Sequence, residues 1–426
     1  MSAVREAIEL KKHGQELPEA LVHAAVSAFT AGDVPDYQMA ALLMAVFIHG
    51  MTEAETVALT DAMAGSGARH AFPDCVDKHS TGGIGDKISL CSLPLAVACG
   101  APVAKLSGRG LGVTGGTIDK LEAIPGLTCA LGAERFRRQV AEIGFAIVEA
   151  TDAAPADRAI YALRDATGTV DSLPLIASSI VSKKAATGAG HLLYDVKCGA
   201  GAFMATREAA RELAELLVRL SARVGIAASA IITGMDEPLG SSVGNALEVN
   251  EAAAFLRGEP VAEDLDGLAR EVAVRLLTLH GVADPARAVE HALSSGTGHE
   301  RLLALVDAQG GDPAAVERGL PVSRDVWEVT APAAGHVARV DAARIGRAAL
   351  ALGAGRTCKE DPILFDVGLE VRAKVGDHVE AGEPLATVRG RRDETRVATL
   401  VREAFLLADA PVARPPLVLD TVDGLA

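Results

Sequence analysis

Asp77-Lys78-His79-Ser80-Thr81-Gly82-Gly83-Ile84-Gly85-Asp86-Lys87-Ile88-Ser89-Leu90 is the stretch whose reading decides the fold. Glycines stand among cations, an imidazole and hydroxyls, and an apolar helical run, Leu90 to Cys99, follows at once. Glycine lets a chain turn tightly enough for several N–H groups to converge on one anion. A helix start adds unpaired donors and the positive end of its dipole. Lys78 brings a full charge, and Ser80 and Ser89 bring hydroxyls that suit phosphate oxygens. His79 sits within this set, so a proton-transfer group stands beside the expected anion. The run holds no Gly-Lys-Ser/Thr triplet, so it is not a Walker loop. A plain glycine turn is the bland alternative; the density of charged and polar side chains favours a phosphate site.

A second glycine run follows one strand later, from Lys105 through Ser107, Arg109 and Val113 to Thr117 and Glu122. Gly110, Gly112 and Gly115 spell GxGxxG after the strand-like Pro102–Leu106, which raises a dinucleotide site as a rival. That motif needs a full helix after the glycines and an acidic residue at the end of the next strand. Pro125 and Gly126 interrupt the chain too early for that.

Outward from these loops, the pattern divides the chain. Residues 1–66 read as amphipathic helices, with Pro18 at the first position of one and Thr52 with Glu55 as a capping box. Strand candidates Pro102–Leu106, Phe145–Glu149, Leu192–Lys197 and Ala230–Thr233 alternate with helical segments, which predicts an α/β sheet with parallel neighbours. Pro155–Ala166 and Leu173–Ala186 again read as helices without strands. The expected layout is a discontinuous α domain (1–66 and 155–188), a large α/β domain (67–154 and 189–325) and a C-terminal α+β, barrel-sandwich-like domain (326–426). Hinges are expected near residues 66–72, 151–155 and 187–191, where small residues concentrate. In the last domain, Val375 to Leu385 resembles the hairpin of biotinyl and lipoyl carriers, but no Met-Lys-Met or Asp-Lys-Ala acceptor is present, so a structural cap is expected.

Composition narrows the function. A formal net charge of −15 argues against a nucleic-acid surface, so an anionic substrate must be drawn by local cations and helix ends. Cys75, Cys91, Cys99, Cys129, Cys198 and Cys358 show no CxxC spacing and fit free thiols in a reducing cytoplasm. The N-terminus has no signal-type apolar core, and the longest apolar run, Met39 to Ile48, is about half of a membrane span.

DKHSTGGIGDKISL, SGRGLGVTGGTIDKLEAIPG and YALRDATGTVDSLPLIASSIVSKKAATGAG resemble the thymidine and pyrimidine-nucleoside phosphorylases. The resemblance runs over nearly the whole chain. It implies phosphorolysis of a pyrimidine nucleoside to the free base and a pentose 1-phosphate, with phosphate as co-substrate and no organic cofactor. Matched residue by residue, it implies phosphate on Lys78, Ser80, Ser89, Ser107 and Thr117, with Lys105 contributing through its backbone. It implies the base on Arg164, Ser179 and Lys183, bordered by Tyr161. Ser179 and Lys183 stand four apart, so they share one helix face. His79 is the candidate acid towards the pyrimidine O2, and catalysis rests on His79, Arg164 and Lys183. A homodimer through the α domain and closure of one domain on the other are also expected, with neither nucleic acid nor membrane as partner.

Some members of that family hold a monovalent cation, potassium, whose matched positions are Gly85, Lys87, Leu239, Ser242 and Glu251. Lys87 stands where a small polar residue is expected, so an ion and the lysine's own ammonium are both open readings, as is a plain helix glutamate at 251. Val113 stands where histidine is expected, which leaves the pentose preference open. Two rivals are a phosphoribosyltransferase of the anthranilate type, with Asp236 and Glu237 as a magnesium pair, and a non-catalytic nucleoside- or phosphate-binding protein.

Overall fold

The structure is a computed structural model, and it describes residues 2–424 apart from 111, 114, 150–152, 359 and 360. The chain opens with helices α1 (Ala3–Lys11), α2 (Glu19–Thr30), α3 (Asp36–His49) and α4 (Glu53–Ala64). The capping box starts α4 as expected: Thr52 Oγ1 accepts the Glu55 N–H, and the Glu55 carboxylate accepts the Thr52 N–H at 2.7 Å. Glu55 also pairs with the buried Lys11 at 2.8 Å and so fastens α1 to α4. Pro18 is the N-cap of α2, one position earlier than expected.

From Phe72 the chain alternates. Strand β1 (Phe72–Ser80) leads through α5 (Ile88–Ala98) to β2 (Val103–Ser107), then through α6 (Thr117–Glu122) and α7 (Ala133–Ile143) to β3 (Phe145–Glu149). Helices α8 (Pro155–Thr167) and α9 (Leu173–Thr187) leave the sheet, and Ile160 and Leu175 join the core of the first helices with Val22, Phe29 and Val46. The α domain is thus assembled from two separated pieces. The chain then returns as β4 (Ala189–Cys198), α10 (Arg207–Arg223), β5 (Ala227–Gly234), α11 (Asn245–Leu256) and α12 (Glu263–His280).

Strands β1 to β5 pair in parallel in the order β5-β4-β1-β2-β3. The chain steps from β1 to one side, then resumes on the other side of β1. The reversal falls between β1 and β4, and open α/β sheets bind ligands outside the carboxyl ends of strands at such a point. The sequence reading leaves Asp77–Ser80 in a loop; here they are strand residues, with His79 opposite Tyr194 and Ser80 opposite Asp195. Polar residues hide this strand from a hydrophobicity pattern because Asp77 and Lys78 are buried against oppositely charged partners, Lys184 and Lys105 for the one and Asp195 and Asp86 for the other.

Two of the expected hinges lie side by side. His70 donates its N–H to Ala186, Phe72 donates to Gly188, and a Cβ on Gly188 would lie 2.1 Å from the His70 carbonyl. Its φ of +74° and this close approach both require glycine. Of the third, residues 151 and 152 lie outside the described residues; Ala154, in the left-handed region, caps α8.

The C-terminal region forms two small antiparallel sheets. One contains Val326–Thr330, Gly368–Val371 and Pro384–Arg389 and borrows Ser242–Val243 from the α/β part; the other contains Gly335–Val340, His378–Val379 and Phe405–Ala408. Helices Ala342–Leu352 and Glu394–Ala404 lie between the strands in the sequence and supply the α part of the expected α+β domain, at segments the sequence reading does not single out. The tail then leaves this domain: Val418–Val422 pairs antiparallel with β5 and becomes the edge of the large sheet.

Candidate active site

Successive residues of a strand face opposite sides, so β1 divides its polar run into two sets. Lys78 and Ser80 face one side. There the Lys78 ammonium lies 2.9 Å from Asp195 and 3.8 Å from Asp86, and Ser80 Oγ donates to Asp86 at 2.5 Å. Lys197 reaches Asp195 at 2.8 Å, and Lys120 donates to the Asp86 carbonyl at 2.7 Å while pairing with Glu248 at 3.1 Å. Lys78, Lys120, Lys197, Asp195 and Glu248 are buried and Asp86 is nearly so, which is tolerable only because each has opposite partners. Burial works against the charged Asp86, but Lys197, Lys78 and Lys120 hold its carboxyl well below the usual range. Burial likewise works against charging Lys78, yet Asp195 and Asp86 raise its affinity for the proton.

Asp77 and His79 face the other side. Asp77 Oδ1 accepts the Lys78 N–H at 2.7 Å, and its other oxygen takes the Lys184 ammonium at 2.7 Å. Lys105 donates to the Lys78 carbonyl at 2.5 Å. The His79 ring meets Tyr194 edge to face at 6.2 Å. Burial first, and then the charges of Lys184, Lys105, Lys183 and Lys78, push the imidazole well below its ordinary range. His79 is therefore neutral at neutral pH in this state. Burial pushes Lys105 down to about 7, with Lys184 and Lys78 adding to the effect and Asp77 opposing it.

The second glycine run lies beside the first. Ser107 ends β2, Thr117 opens α6, and Ser89 lies in the first turn of the buried α5. Lys120 connects the two runs, because the ammonium that holds the Asp86 carbonyl also reaches the Gly115 carbonyl at 3.4 Å. Asp119 accepts the Gly110 N–H at 2.7 Å and the Arg356 guanidinium at 2.8 Å, and the Arg356 carbonyl accepts the Gly112 N–H. The C-terminal domain thus holds this loop directly, which goes beyond the structural cap that the sequence implies. Leu111 and Thr114 of the GxGxxG run are outside the described residues. The helix after it, α6, has six residues, so the dinucleotide reading lacks the long helix it needs.

On the α domain, the Lys183 ammonium bonds Ser179 Oγ at 3.0 Å and Asp157 at 2.6 Å, and a third of its side chain is exposed. Arg164, expected to contact the base, spends three of its donors on main-chain carbonyls. It is 1% exposed, and it donates to the carbonyls of Val170 at 2.6 Å, Leu175 at 2.9 Å and Thr169 at 3.4 Å. The guanidinium braces the turn between α8 and α9, with the half-exposed Tyr161 ring 5.5 Å from it.

At the expected cation position the lysine fills the space. Lys87 Nζ lies 2.7 Å from Glu251, 2.9 Å from the Leu239 carbonyl and 3.0 Å from the Ser242 carbonyl. A Cβ on Gly240 would come within 2.8 Å of that nitrogen. These residues do not fit an additional potassium ion, because the ammonium already occupies their shared centre. Burial opposes charging Lys87, but Glu251 and Glu248 raise its proton affinity. Asp77, Asp86, Asp195, Lys184, Lys197 and Arg356 are the site residues that sequence reasoning misses. Polar residues recurring at strand spacing (77, 79; 78, 80; 195, 197) are the signal that can find Asp77, Asp195 and Lys197.

Among the described residues no group of three His, Cys, Asp or Glu is placed to hold a metal ion, and no helix is long and apolar enough to cross a membrane. A cavity of about 580 Å³ lies between α10, β5 and α12, at the amino end of β5 and so at the opposite end of the sheet from this site.

The chain matches three family models: the helical bundle domain of a glycosyl transferase family over residues 5–67, its a/b domain over 72–298, and the pyrimidine nucleoside phosphorylase C-terminal domain over 336–407. It is 45% identical to a thymidine phosphorylase of Mycobacterium tuberculosis, over 97% of each chain. It is 45% identical to a pyrimidine-nucleoside phosphorylase of Bacillus subtilis, over 90% of this chain and 91% of the other. Anthranilate phosphoribosyltransferase of Thermus thermophilus superposes with a TM-score of 0.59 and 22% identity, covering 72% of this chain and 99% of that one, which is a likeness of fold alone. A helical domain in two pieces, a parallel sheet with its polar switch point, and a C-terminal module matching over residues 336–407 leave one assignment: the chain belongs to the thymidine/pyrimidine-nucleoside phosphorylase family of glycosyltransferases.

Proposed function

We propose that this chain cleaves pyrimidine nucleosides (thymidine, deoxyuridine and uridine) with orthophosphate, releasing the base and a pentose 1-phosphate in nucleoside salvage and catabolism. The observation that carries the proposal is the tie between two half-sites: Lys183 bonds Ser179 on α9, and its neighbour Lys184 bonds Asp77 at 2.7 Å, two residues before His79 on β1. Phosphate is received at the glycine runs by Ser80, Ser89, Ser107 and Thr117, in the positive field of Lys78 and Lys105. One of its oxygens attacks the anomeric carbon, and the electron pair of the breaking C–N bond passes to the base. Lys183, Ser179 and the remaining donors of Arg164 stabilise the charge that appears on the base carbonyls. Dianionic phosphate beside His79 offsets the field of its four lysines, so the ring takes up a proton that it gives to the pyrimidine O2.

Lys87 supplies the charge that potassium brings elsewhere, so the reaction needs no added ion. Phosphate and base residues sit on different bodies, and the paired segments at His70 and Gly188 suit a hinge that closes them. A homodimer through the α domain is supported by α3, which exposes Tyr37, Met44 and Ile48 along one stripe. Buried free thiols at Cys75, Cys91, Cys129 and Cys198 support a cytoplasmic location.

The phosphoribosyltransferase reading fares worse, because its magnesium pair is engaged: Asp236 accepts the Ala200 N–H, and Glu237 accepts the Val375 N–H and faces Lys374. A panel of nucleosides assayed with orthophosphate, by the ultraviolet absorbance of released base with and without magnesium, tests the proposal. Release without magnesium supports it. Turnover only with a ribosyl diphosphate and magnesium replaces it with the transferase, and nucleoside binding without any turnover replaces it with the binding protein.

A further inference from the structure

We propose that Lys184, acting through Asp77, is a positioning residue for this reaction: it fixes where His79 stands and registers the base-binding helix against the phosphate loop. The inference rests on the roles given above to His79, Ser179 and Lys183.

Lys183 and Lys184 are consecutive on α9, so their side chains leave the helix about 100° apart. Lys183 turns to Ser179 and Asp157, whereas Lys184 is buried and crosses to the sheet. Its ammonium bonds Asp77 Oδ2 at 2.7 Å and the Leu106 carbonyl at 3.0 Å. Asp77 holds the Lys78 N–H, while Lys105 holds the Lys78 carbonyl. The residue before His79 is therefore gripped at both ends of its backbone. Leu106 in turn precedes Ser107, so one ammonium touches the ends of both strands that carry the phosphate residues.

Two features set this cluster apart from ordinary core packing. Lys184 and Lys105 share a single carboxylate, so the cluster carries an excess positive charge in a buried place whenever Lys105, pushed down to about 7, holds its proton. Apolar residues of similar volume fill a core at least as well as a buried ion pair does, which leaves the excess charge in need of another reason. That reason is its neighbour, because the field of the cluster falls on the imidazole of His79. The second feature is location. The paired segments at Ala186 and Gly188 lie within one turn of Lys184, and points near a rotation axis move least. The tie can thus persist while the domains close, which a contact farther out in the cleft cannot do.

The test compares Lys184→Met, which keeps length and removes charge, with Asp77→Asn, which keeps shape and removes charge. Steady-state kinetics are read separately for phosphate and thymidine. The His79 signal is followed by NMR of labelled histidine, assigned with His79→Asn. The account expects kcat to fall at least about tenfold in Lys184→Met, with the KM for thymidine changed less. It expects the His79 titration to move up by about one pH unit or more. Combining the two changes should cost no more than the worse single one, because they break one unit. Wild-type kcat together with an unmoved His79 titration overturns the proposal. If Lys184→Met does not fold, Asp77→Asn decides on the same two readouts. Should the wild-type chain release no base with phosphate, the functional reading fails, while the His79 titration still decides the positioning role.

Discussion

Lys87 and Glu251 form a buried ion pair, 2.7 Å between ammonium and carboxylate, with two main-chain carbonyls completing the shell around the nitrogen. The pair joins the start of α5 to α11 beneath the first glycine run. Burial disfavours the charge on each partner, while each holds the other ionised: Lys87 is raised and Glu251 lowered from their ordinary ranges.

Removing that ammonium should expose the oxygens it satisfies. Lys87→Ser is expected to lose about 3–5 kcal/mol of stability, because one charge of a buried pair is left alone. Potassium chloride should restore part of the melting temperature and rate in this variant, and should leave the wild type unchanged at matched ionic strength. A wild-type enzyme that stops in sodium or choline salts speaks against the built-in cation.

The two cations of the base side should behave differently. Lys183→Ala is expected to lower turnover by roughly a hundredfold or more with a small effect on melting, since its ammonium is partly exposed and faces the base. Arg164→Ala should lower both turnover and stability, the latter by roughly 3 kcal/mol, because it frees three buried carbonyls of the 169–175 turn. Kinetics and thermal unfolding of the two variants check this, and near-wild-type turnover in either removes that residue from the base pocket.

Much of this was legible in the sequence because it lay in local rules. The capping box at Thr52 and Glu55, the strand Phe145–Glu149, and the helices at 155–167 and 173–187 follow from spacing and turn residues alone. Strand β1 was not legible, because its side chains are charged yet buried, and pattern reading assigns charge to solvent. The bracing role of Arg164 depends on carbonyls that only the turned chain presents. The edge strand Val418–Val422 was hidden for another reason: its partner, β5, lies nearly two hundred residues earlier, and no local signal reports a long-range pairing.

The neutral state of His79 carries a stability consequence. Its folded pKa lies well below the ordinary value near 6.5, so below that pH the unfolded chain takes up a proton that the native site refuses. Stability should therefore fall as pH drops through about 6.5, and His79→Asn should lack that part of the loss. Melting temperatures of both proteins from pH 7.5 down to about 5 measure the difference. Parallel curves would mean that the histidine is not held neutral. The same variant should lose catalysis most with poor leaving bases; equal loss for every base contradicts proton donation.

The tail and the C-terminal domain should prove structural and local to the phosphate side. Deleting residues 326–426 removes the β5 edge strand and the Arg356 hold on the second glycine run, so it should destabilise the large sheet. Arg356→Ala alone is expected to raise the KM for phosphate several-fold, on the order of one hydrogen-bonded charge pair, with base preference unchanged. Altered base selectivity in the Arg356 variant would show that this domain reaches the base pocket.

The central claim is that phosphate itself is the nucleophile at the anomeric carbon. Phosphorus NMR of the complete enzyme with thymidine and orthophosphate, read alongside ultraviolet release of thymine, tests it most directly. The account predicts one pentose 1-phosphate formed for each base released, at the same rate throughout. Base released without the sugar phosphate, as water would produce, contradicts it.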